Sequence, residues 1–244
     1  MDGWGISTYG DSIADVYDQL YENLFDKEAQ VEMLAELARG GRALELAIGT
    51  GRVAIPLKEK GVELHGIDAS AEMVERLRAK PGGKDIPVTY GDFAEVEVDG
   101  EFKLIFLVFN TLFALTTQED QIRCFRNVRE HLTDDGTFAV SCFVPDLTRY
   151  NRDQNTYVTD VGIDNFHVDF SRHDPVNQTV SVAHLMVRDE KFKIFPVFLR
   201  YAWPAEIDLM ARLAGLELKA RYGDWDGSAF TSKSEQHVSL YGKP

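Results

Sequence analysis

The stretch ALELAIGTGRVA, residues 43–54, constrains the fold more than any other part of the chain. A short apolar run leads into Gly49-Thr50-Gly51, and Arg52, Val53 and Ala54 open a helical pattern. A glycine turn between a strand and a helix lets backbone approach a ligand closely and aims the helix N–H groups at it. Gly49 to Ala54 also satisfies the G-x-G-x-x-G/A pattern of a dinucleotide-binding turn. Other nucleosides use such a turn on a similar sheet, so the glycines alone leave the ligand open.

The flanking pattern sets the architecture. Ile13, Val16, Tyr17, Leu20 and Tyr21 recur at helical spacing, as do Val31, Leu34 and Leu37. The first 40 residues are therefore expected to form two helices, ended by Gly40-Gly41. Strands are expected at 43–48, 62–67, 86–90 and 103–109, and in TFAVSCFV after the turn Asp134-Asp135-Gly136. Helices are expected at about 51–60, closed by Gly61, and at about 70–79 with Ser70 as its cap. Thr116-x-x-Glu119 reads as a capping box before a helix whose buried stripe is Ile122, Phe125, Val128 and Leu132. KLIFLVF is apolar on both faces, as a central parallel strand should be. Strands alternating with helices give an α/β fold with a doubly wound, Rossmann-like, mostly parallel sheet.

After residue 145 the pattern changes. Segments 157–173, 178–188 and 191–202 alternate with no helix between them, the mark of an inserted antiparallel β ribbon over 157–202. In the last segment Phe192, Ile194 and Phe198 share one face, and Phe195, Val197 and Leu199 the other. Both faces therefore need cover, from the substrate site, a buried lid or a second copy of the chain in a homo-oligomer through the ribbon. A further helix starts at Pro204, carries the stripe Ile207, Met210 and Leu213, and ends at Gly215. Segments 216–222 and 236–242 close the chain as an antiparallel hairpin.

Carboxylates at the strand ends narrow the ligand. Glu45 precedes Gly49 by four residues, and Asp68 ends the second strand in HGIDAS. A carboxylate there can accept both ribose hydroxyls of an adenosine. Gly91-Asp92-Phe93 ends the third strand, where an acid can receive the adenine amino group. With ELAIGTG, GIDAS and Met73, YGDF and VFNTLF in this order and spacing, the chain resembles the class I S-adenosylmethionine-dependent methyltransferases over about residues 43–145. The terminal hairpin fits that family's antiparallel last strand. Ala47 stands where the family usually has glycine.

The resemblance implies S-adenosylmethionine as cofactor and gives each matched residue a role. Glu45 would orient the loop and the methionine ammonium group, with Ala47, Gly49 and Gly51 bordering the amino acid moiety. Asp68 would hold the ribose, Ala69 and Met73 would flank the adenine, and Asp92 with Phe93 would bind its edge and face. Asn110 would border the sulfonium methyl. Residues 1–40 would form a helical lid, bringing Tyr17 to the cofactor, over a cofactor-binding core at 43–145 in a single domain. ADVYDQLY, FVPDLTRY and RYAWPAEIDLMARLAGL further resemble actinomycete natural-product tailoring methyltransferases, with the lincosamide (celesticetin and lincomycin) N-methyltransferases the nearest type. That implies methyl transfer to an amine of a small antibiotic intermediate.

Transfer from a sulfonium is an in-line displacement, in which the enzyme positions a neutral nucleophile and excludes water. An amine can shed its proton to solvent, whereas a phenol or alcohol more often needs a positioned base. No dedicated base stands beside VFNTLF, which favours nitrogen over the alternative, O-methylation of a small phenol or alcohol. Catalysis is assigned only as positioning, by Tyr9, Tyr17 and Phe113. The acceptor pocket is expected among Tyr9, Tyr17, Tyr21, Phe113, Trp225 and Phe230, because ring faces attract a methylated ammonium. The rival from another class is an NAD(P)-dependent oxidoreductase, but no Tyr-x-x-x-Lys pair is present.

Charge bears on the partners. Twenty-six basic against 40 acidic residues give −14, which repels phosphate backbones and anionic lipid. Neither nucleic acid nor a membrane is expected as a partner, while a cationic small molecule suits the balance. The N-terminus carries no secretory pattern, and Cys124 and Cys142 read as reduced core residues of a cytoplasmic protein. His167 and His173 share a strand face with Asp169 and Ser171; a wet strand face explains that spacing, and no metal is expected. His65 and His131 read as structural, and His184 and His237 as strand residues either of which could serve as a base.

Overall fold

From its N-terminus the chain runs α1 (Thr8–Ile13), α2 (Tyr17–Tyr21), α3 (Lys27–Ala38), β1 (Arg42–Leu46), α4 (Ala54–Glu59), β2 (Glu63–Asp68) and α5 (Ala71–Ala79). It continues through β3 (Val88–Tyr90), β4 (Phe102–Leu107), α6 (Gln118–His131) and β5 (Leu132–Phe143). Then come β6 (Gln154–Val161), β7 (Asn165–Asp174), β8 (Thr179–Arg188), β9 (Lys191–Arg200), α7 (Pro204–Leu213), β10 (Glu217–Tyr222) and β11 (Gln236–Gly242). This computed structural model describes residues 5–21, 27–95, 97–188 and 191–244. The lid residues 1–4 and 22–26 therefore lie outside the described residues.

The central sheet has the order β10-β11-β5-β4-β1-β2-β3. Strands β1 to β5 pair in parallel, and β11 runs antiparallel to both β5 and β10. The doubly wound sheet with its antiparallel last strand is thus present as expected. Leu104, Ile105, Phe106 and Leu107 of β4 are all fully buried, because helices cover both faces. Ile105 and Phe138 pack with Phe125 of α6 and Met210 of α7 on one face, and Leu104 and Phe106 with Leu34 of α3 and Leu57 of α4 on the other. Each such side chain contributes about 1.5–3 kcal/mol of burial. Cys124 and Cys142 are buried free thiols whose burial pushes their ionisation up.

Several boundaries differ from expectation. The single helix expected from Ile13 to Tyr21 is broken into α1 and α2, which lets Asp15 pair with Lys193 of β9 while Asp18 pairs with Lys80 after α5. Thr117, not Thr116, caps α6, accepting from Asp120 N at 3.1 Å. The turn expected at 134–136 is an irregularity within β5, whose partners on β4 jump from Phe102↔Leu132 to Leu104↔Thr137. β3 begins only at Val88, since Pro87 has no N–H to give. On α7, Leu213 is 65% exposed, and Ala211 joins Ile207 and Met210 on the buried stripe.

The inserted ribbon is a separate sheet of four strands, β6-β7-β8-β9. The expected segment 157–173 is two strands joined by a turn at Gly162, where Gly162 N donates to Asn165 O at 2.6 Å. Among the described residues, only one face of this sheet is covered. Phe195 is fully buried against Ile13, Ala14 and Met73, whereas Phe192 and Ile194, one pleat away, are 74% and 60% exposed. The ribbon joins the core through Arg200, which donates to Gln121 Oε1 at 2.8 Å and to Glu206 Oε1 at 2.7 Å.

Candidate functional site

The C-terminal ends of β1, β2, β3 and β4 meet at one edge of the sheet, and strand order reverses between β1 and β4. Ligands of open α/β sheets bind at such a reversal. The β1 exit needs an unusual backbone: φ is +58° at Ala47, +56° at Gly49 and +76° at Gly51. A Cβ on Gly51 would meet Leu77 Cδ1 at 2.2 Å, so that glycine permits loop–helix packing. A Cβ on Gly49 would meet nothing within 4 Å among the described residues. Gly49 therefore borders open space, where a ligand can approach its backbone.

Asp68 fixes the loop. Its Oδ2 accepts from Gly49 N at 2.6 Å and its Oδ1 from Ser70 N at 2.8 Å. Burial raises its carboxyl above the ordinary range, and these backbone donors oppose that. Ser70 caps α5 by accepting from Met73 N at 3.2 Å, and it donates to Asp11 of α1 at 2.6 Å. Gly91 N donates to Asp68 O at 3.1 Å, which ties the β3 exit to that of β2.

Glu45 is only 3% exposed, and its Oε2 is buried with no hydrogen-bond partner among the described residues. Burial drives its carboxyl well above the ordinary range, with Arg52 opposing and Asp68 adding to the rise. A buried carboxylate oxygen left without a donor is costly unless a ligand supplies one. The ammonium group of a methionine moiety is such a donor. Together with the open Gly49 and its neighbouring N–H groups, this oxygen makes the cleft fit S-adenosylmethionine.

The remaining cofactor candidates divide. Ala69 and Met73 follow Asp68, with Met73 buried against the N-terminal helices. Asp92 reaches the same edge, but its Oδ1 is engaged in accepting from Ala94 N at 2.9 Å, and Phe93 packs against the core on the α6 side. Asn110 adopts φ +63°, and its Oδ1 accepts from Phe143 N at 2.6 Å. That bond commits its carbonyl to tying the β4 exit to β5.

The tyrosines of the N-terminal helices converge. Tyr9 and Tyr21 hydroxyls are 3.0 Å apart, Tyr17 meets Tyr21 edge-on at 4.9 Å, and Tyr21 meets Phe109 at 4.8 Å. Arg52 lies over the Phe109 ring at 5.4 Å and holds down the rise that burial imposes on Tyr17. Phe113 is fully buried in the core against Phe143, and Trp225 packs with Val238 and Leu240. Phe230 sits beneath Arg221 at 5.7 Å, in the loop between β10 and β11. Phe113 and Trp225 are thus buried packing positions, Trp225 in the same apolar group as Phe109, while Phe230 is partly exposed in the loop that leaves β10 at the C-terminal edge of the sheet.

Sequence reasoning missed Asp11, Asp18, Thr50, Arg52, Lys80 and Phe109. Asp18 and Thr50 stand inside quoted motifs, yet only the folded chain brings them within 2.6 Å. Phe109 precedes Asn110, where its φ of +61° turns the chain off β4.

The histidines also separate. His173 pairs with Tyr201 at 2.8 Å and stacks on Tyr150, so it is structural. His65 meets Thr89 at 2.8 Å and His131 the Asn127 carbonyl at 2.8 Å. His237 is buried beside Ser239, and burial lowers its pKa to about 4. His167, Asp169 and His184 instead form one cluster on the covered face of the ribbon.

Comparison with known proteins agrees with this geometry. A methyltransferase domain family model matches residues 43–136, the span of the strand-end cleft. The structure of the CcbJ methyltransferase from Streptomyces caelestis superposes with a TM-score of 0.92 at 38% identity, covering 98% of this chain and 99% of that one. Cypemycin N-terminal methyltransferase from Streptomyces is 28% identical over 81% of both chains. The amino pentose methyltransferase CalS10 from Micromonospora echinaspora, solved with S-adenosylmethionine bound, shares the fold at a TM-score of 0.70 and 15% identity, over 92% of this chain and 96% of its own. The chain belongs to the S-adenosylmethionine-dependent methyltransferases.

Proposed function

We propose that the chain transfers a methyl group to an amine nitrogen of a small molecule, an intermediate of antibiotic assembly of the lincosamide type. The observation that carries this reading is the convergence of Tyr9, Tyr17, Tyr21 and Phe109 beside the β4 exit. Electron-rich faces stabilise a positively charged nitrogen and offer little to a phenolate. An N-terminal methyltransferase and an amino pentose methyltransferase among the relatives support nitrogen as the acceptor.

When bound, S-adenosylmethionine supplies a methyl group already activated on a positive sulfur. Glu45 would hold its ammonium end, the Gly49–Gly51 loop would line its amino acid portion, and Asp68 would hold the loop and the ribose side. The tyrosines would exclude water and orient the amine, which is most of what such a displacement requires. We further infer that a second copy of the chain covers the exposed face of the ribbon, and that nucleic acid and membranes are not partners.

The test is a mass-spectrometric screen of paired amine and phenol intermediates for the gain of one methyl. Methylated amines are expected. An active phenol panel beside a silent amine panel would overturn the reading.

A further inference from the structure

On the ribbon's covered face, Asp169 of β7 stands directly opposite His184 of β8 in the antiparallel register. His184 Nδ1 lies 2.6 Å from Asp169 Oδ1, and His167 Nε2 lies 3.1 Å from the same oxygen. All three side chains are largely covered, at 16–24% exposure. Thr159 of β6 adds a contact to Asp169 Oδ2 at 3.4 Å. Valine pairs would satisfy this sheet at lower cost, since buried polar groups stabilise only when fully partnered.

The cluster lies against the N-terminal helices. His184 stacks on Phe195 at 4.7 Å, and Phe195 packs in one group with Ile13, Tyr9, Tyr17 and Tyr21. The Asp169 charge reaches the Tyr21 hydroxyl and adds to the rise that burial imposes on it. Tyr21 in turn touches Phe109 at the β4 exit. One carboxylate and two imidazoles thus back the tyrosine cluster on the ribbon side, with the methyl-donor cleft beyond Phe109. Other charged groups nearby are Asp160 of β6 and the Lys193–Asp15 pair that bridges β9 to the N-terminal helices.

Building on the amine reading above, we propose that Asp169 is the anionic anchor of an amine acceptor that binds as its ammonium and releases one proton to solvent before the neutral nitrogen attacks the methyl, with His184 and His167 as positioning residues. Asp169 is the one carboxylate of this three-residue cluster, and burial pushes His167 below the ordinary imidazole range. Nδ1–H of His184 donates to Asp169 Oδ1 and holds that carboxylate in place. An ammonium group there meets one carboxylate and several ring faces. A phenol gains nothing, since its ionised form would lie beside a like charge.

The experiment is calorimetric titration of the full chain, saturated with S-adenosylhomocysteine, using piperidinium and its neutral isostere tetrahydropyran. Piperidinium is expected to bind and tetrahydropyran not to. Asp169→Asn should weaken piperidinium by at least about tenfold while leaving S-adenosylhomocysteine affinity unchanged. His184→Gln, which keeps a donor, should bind piperidinium within about threefold of the wild type, and His184→Leu should lose it. Equal binding by wild type and Asp169→Asn, no binding at all, or Zn²⁺ uptake that shuts piperidinium out would each overturn the proposal. A silent amine panel with piperidinium still held at Asp169 sinks only the methyl-acceptor reading; methylated amines with an indifferent Asp169→Asn sink only the anchor.

Discussion

Thr50 Oγ1 donates to Asp18 Oδ1 at 2.6 Å, so the glycine loop at the strand-end cleft is tied to the second N-terminal helix. Lys80 completes the tie, reaching Asp18 Oδ2 at 2.7 Å and the Thr50 carbonyl at 2.8 Å. On the other side, α1 lies so close to Ser70 that a Cβ on Gly10 would meet the Ser70 Cβ at 2.6 Å. The shape of the cofactor loop and the seating of these helices are therefore one property.

Asp18→Ala should then weaken S-adenosylmethionine binding by about threefold to tenfold, the worth of a hydrogen bond to a charged group discounted for solvent. The thermal midpoint should move little, because Asp18 is half exposed. Calorimetry and a thermal melt on the same sample check both; unchanged affinity would separate the loop from the helix.

Ala47 holds a left-handed conformation at φ +58° where a side chain costs about 1–2 kcal/mol. Ala47→Gly should relieve that cost and raise the thermal midpoint by about 2–4 °C. A lowered midpoint would show that the alanine methyl contributes packing that outweighs the strain.

Arg200 and Glu206 join the ribbon to the core, and Gln178 and Gln118 also donate to Glu206, at 2.7 Å each. Burial opposes ionisation of Glu206, yet these donors outweigh it and lower its carboxyl below the ordinary range. The folded chain thus keeps Glu206 ionised at pH values where the unfolded chain protonates it. Its stabilisation is full above the unfolded value of about 4.3 and is lost as pH falls through the folded value. Urea midpoints from neutral to acid pH should show a shallower acid decline in Glu206→Gln. Arg200→Met, which strands the carboxylate, should cost about 3 kcal/mol at neutral pH.

Phe192 and Ile194 of the ribbon's exposed face give the oligomer its test. Light scattering should return a multiple of the 27.5 kDa chain mass, and Phe192→Glu with Ile194→Glu should return a single chain. A wild-type mass of one chain would contradict the second copy.

Periodicity made the central sheet legible: KLIFLVF could only be a buried parallel strand, and Glu45, Asp68 and the glycines follow β1 and β2 to one edge. Turn chemistry was less legible. Thr116 and Thr117 are equivalent as caps until geometry selects Thr117 to receive Asp120 N. The β6–β7 turn was missed because alternation continues through Gly162. Long-range pairing was hidden altogether. Asp169 and His184 are 15 residues apart and meet only through register, and Phe113 and Trp225 have the composition of a pocket wall but the burial of core.

The most direct test of the strand-end cleft as a methyl-donor site is calorimetric titration with S-adenosylmethionine, S-adenosylhomocysteine, NAD and NADP, on wild type and Glu45→Gln. The wild type should bind the first two and neither dinucleotide, and Glu45→Gln should lose affinity for both by about tenfold or more through the missing ammonium partner. Dinucleotide binding with no response to S-adenosylmethionine would contradict the account.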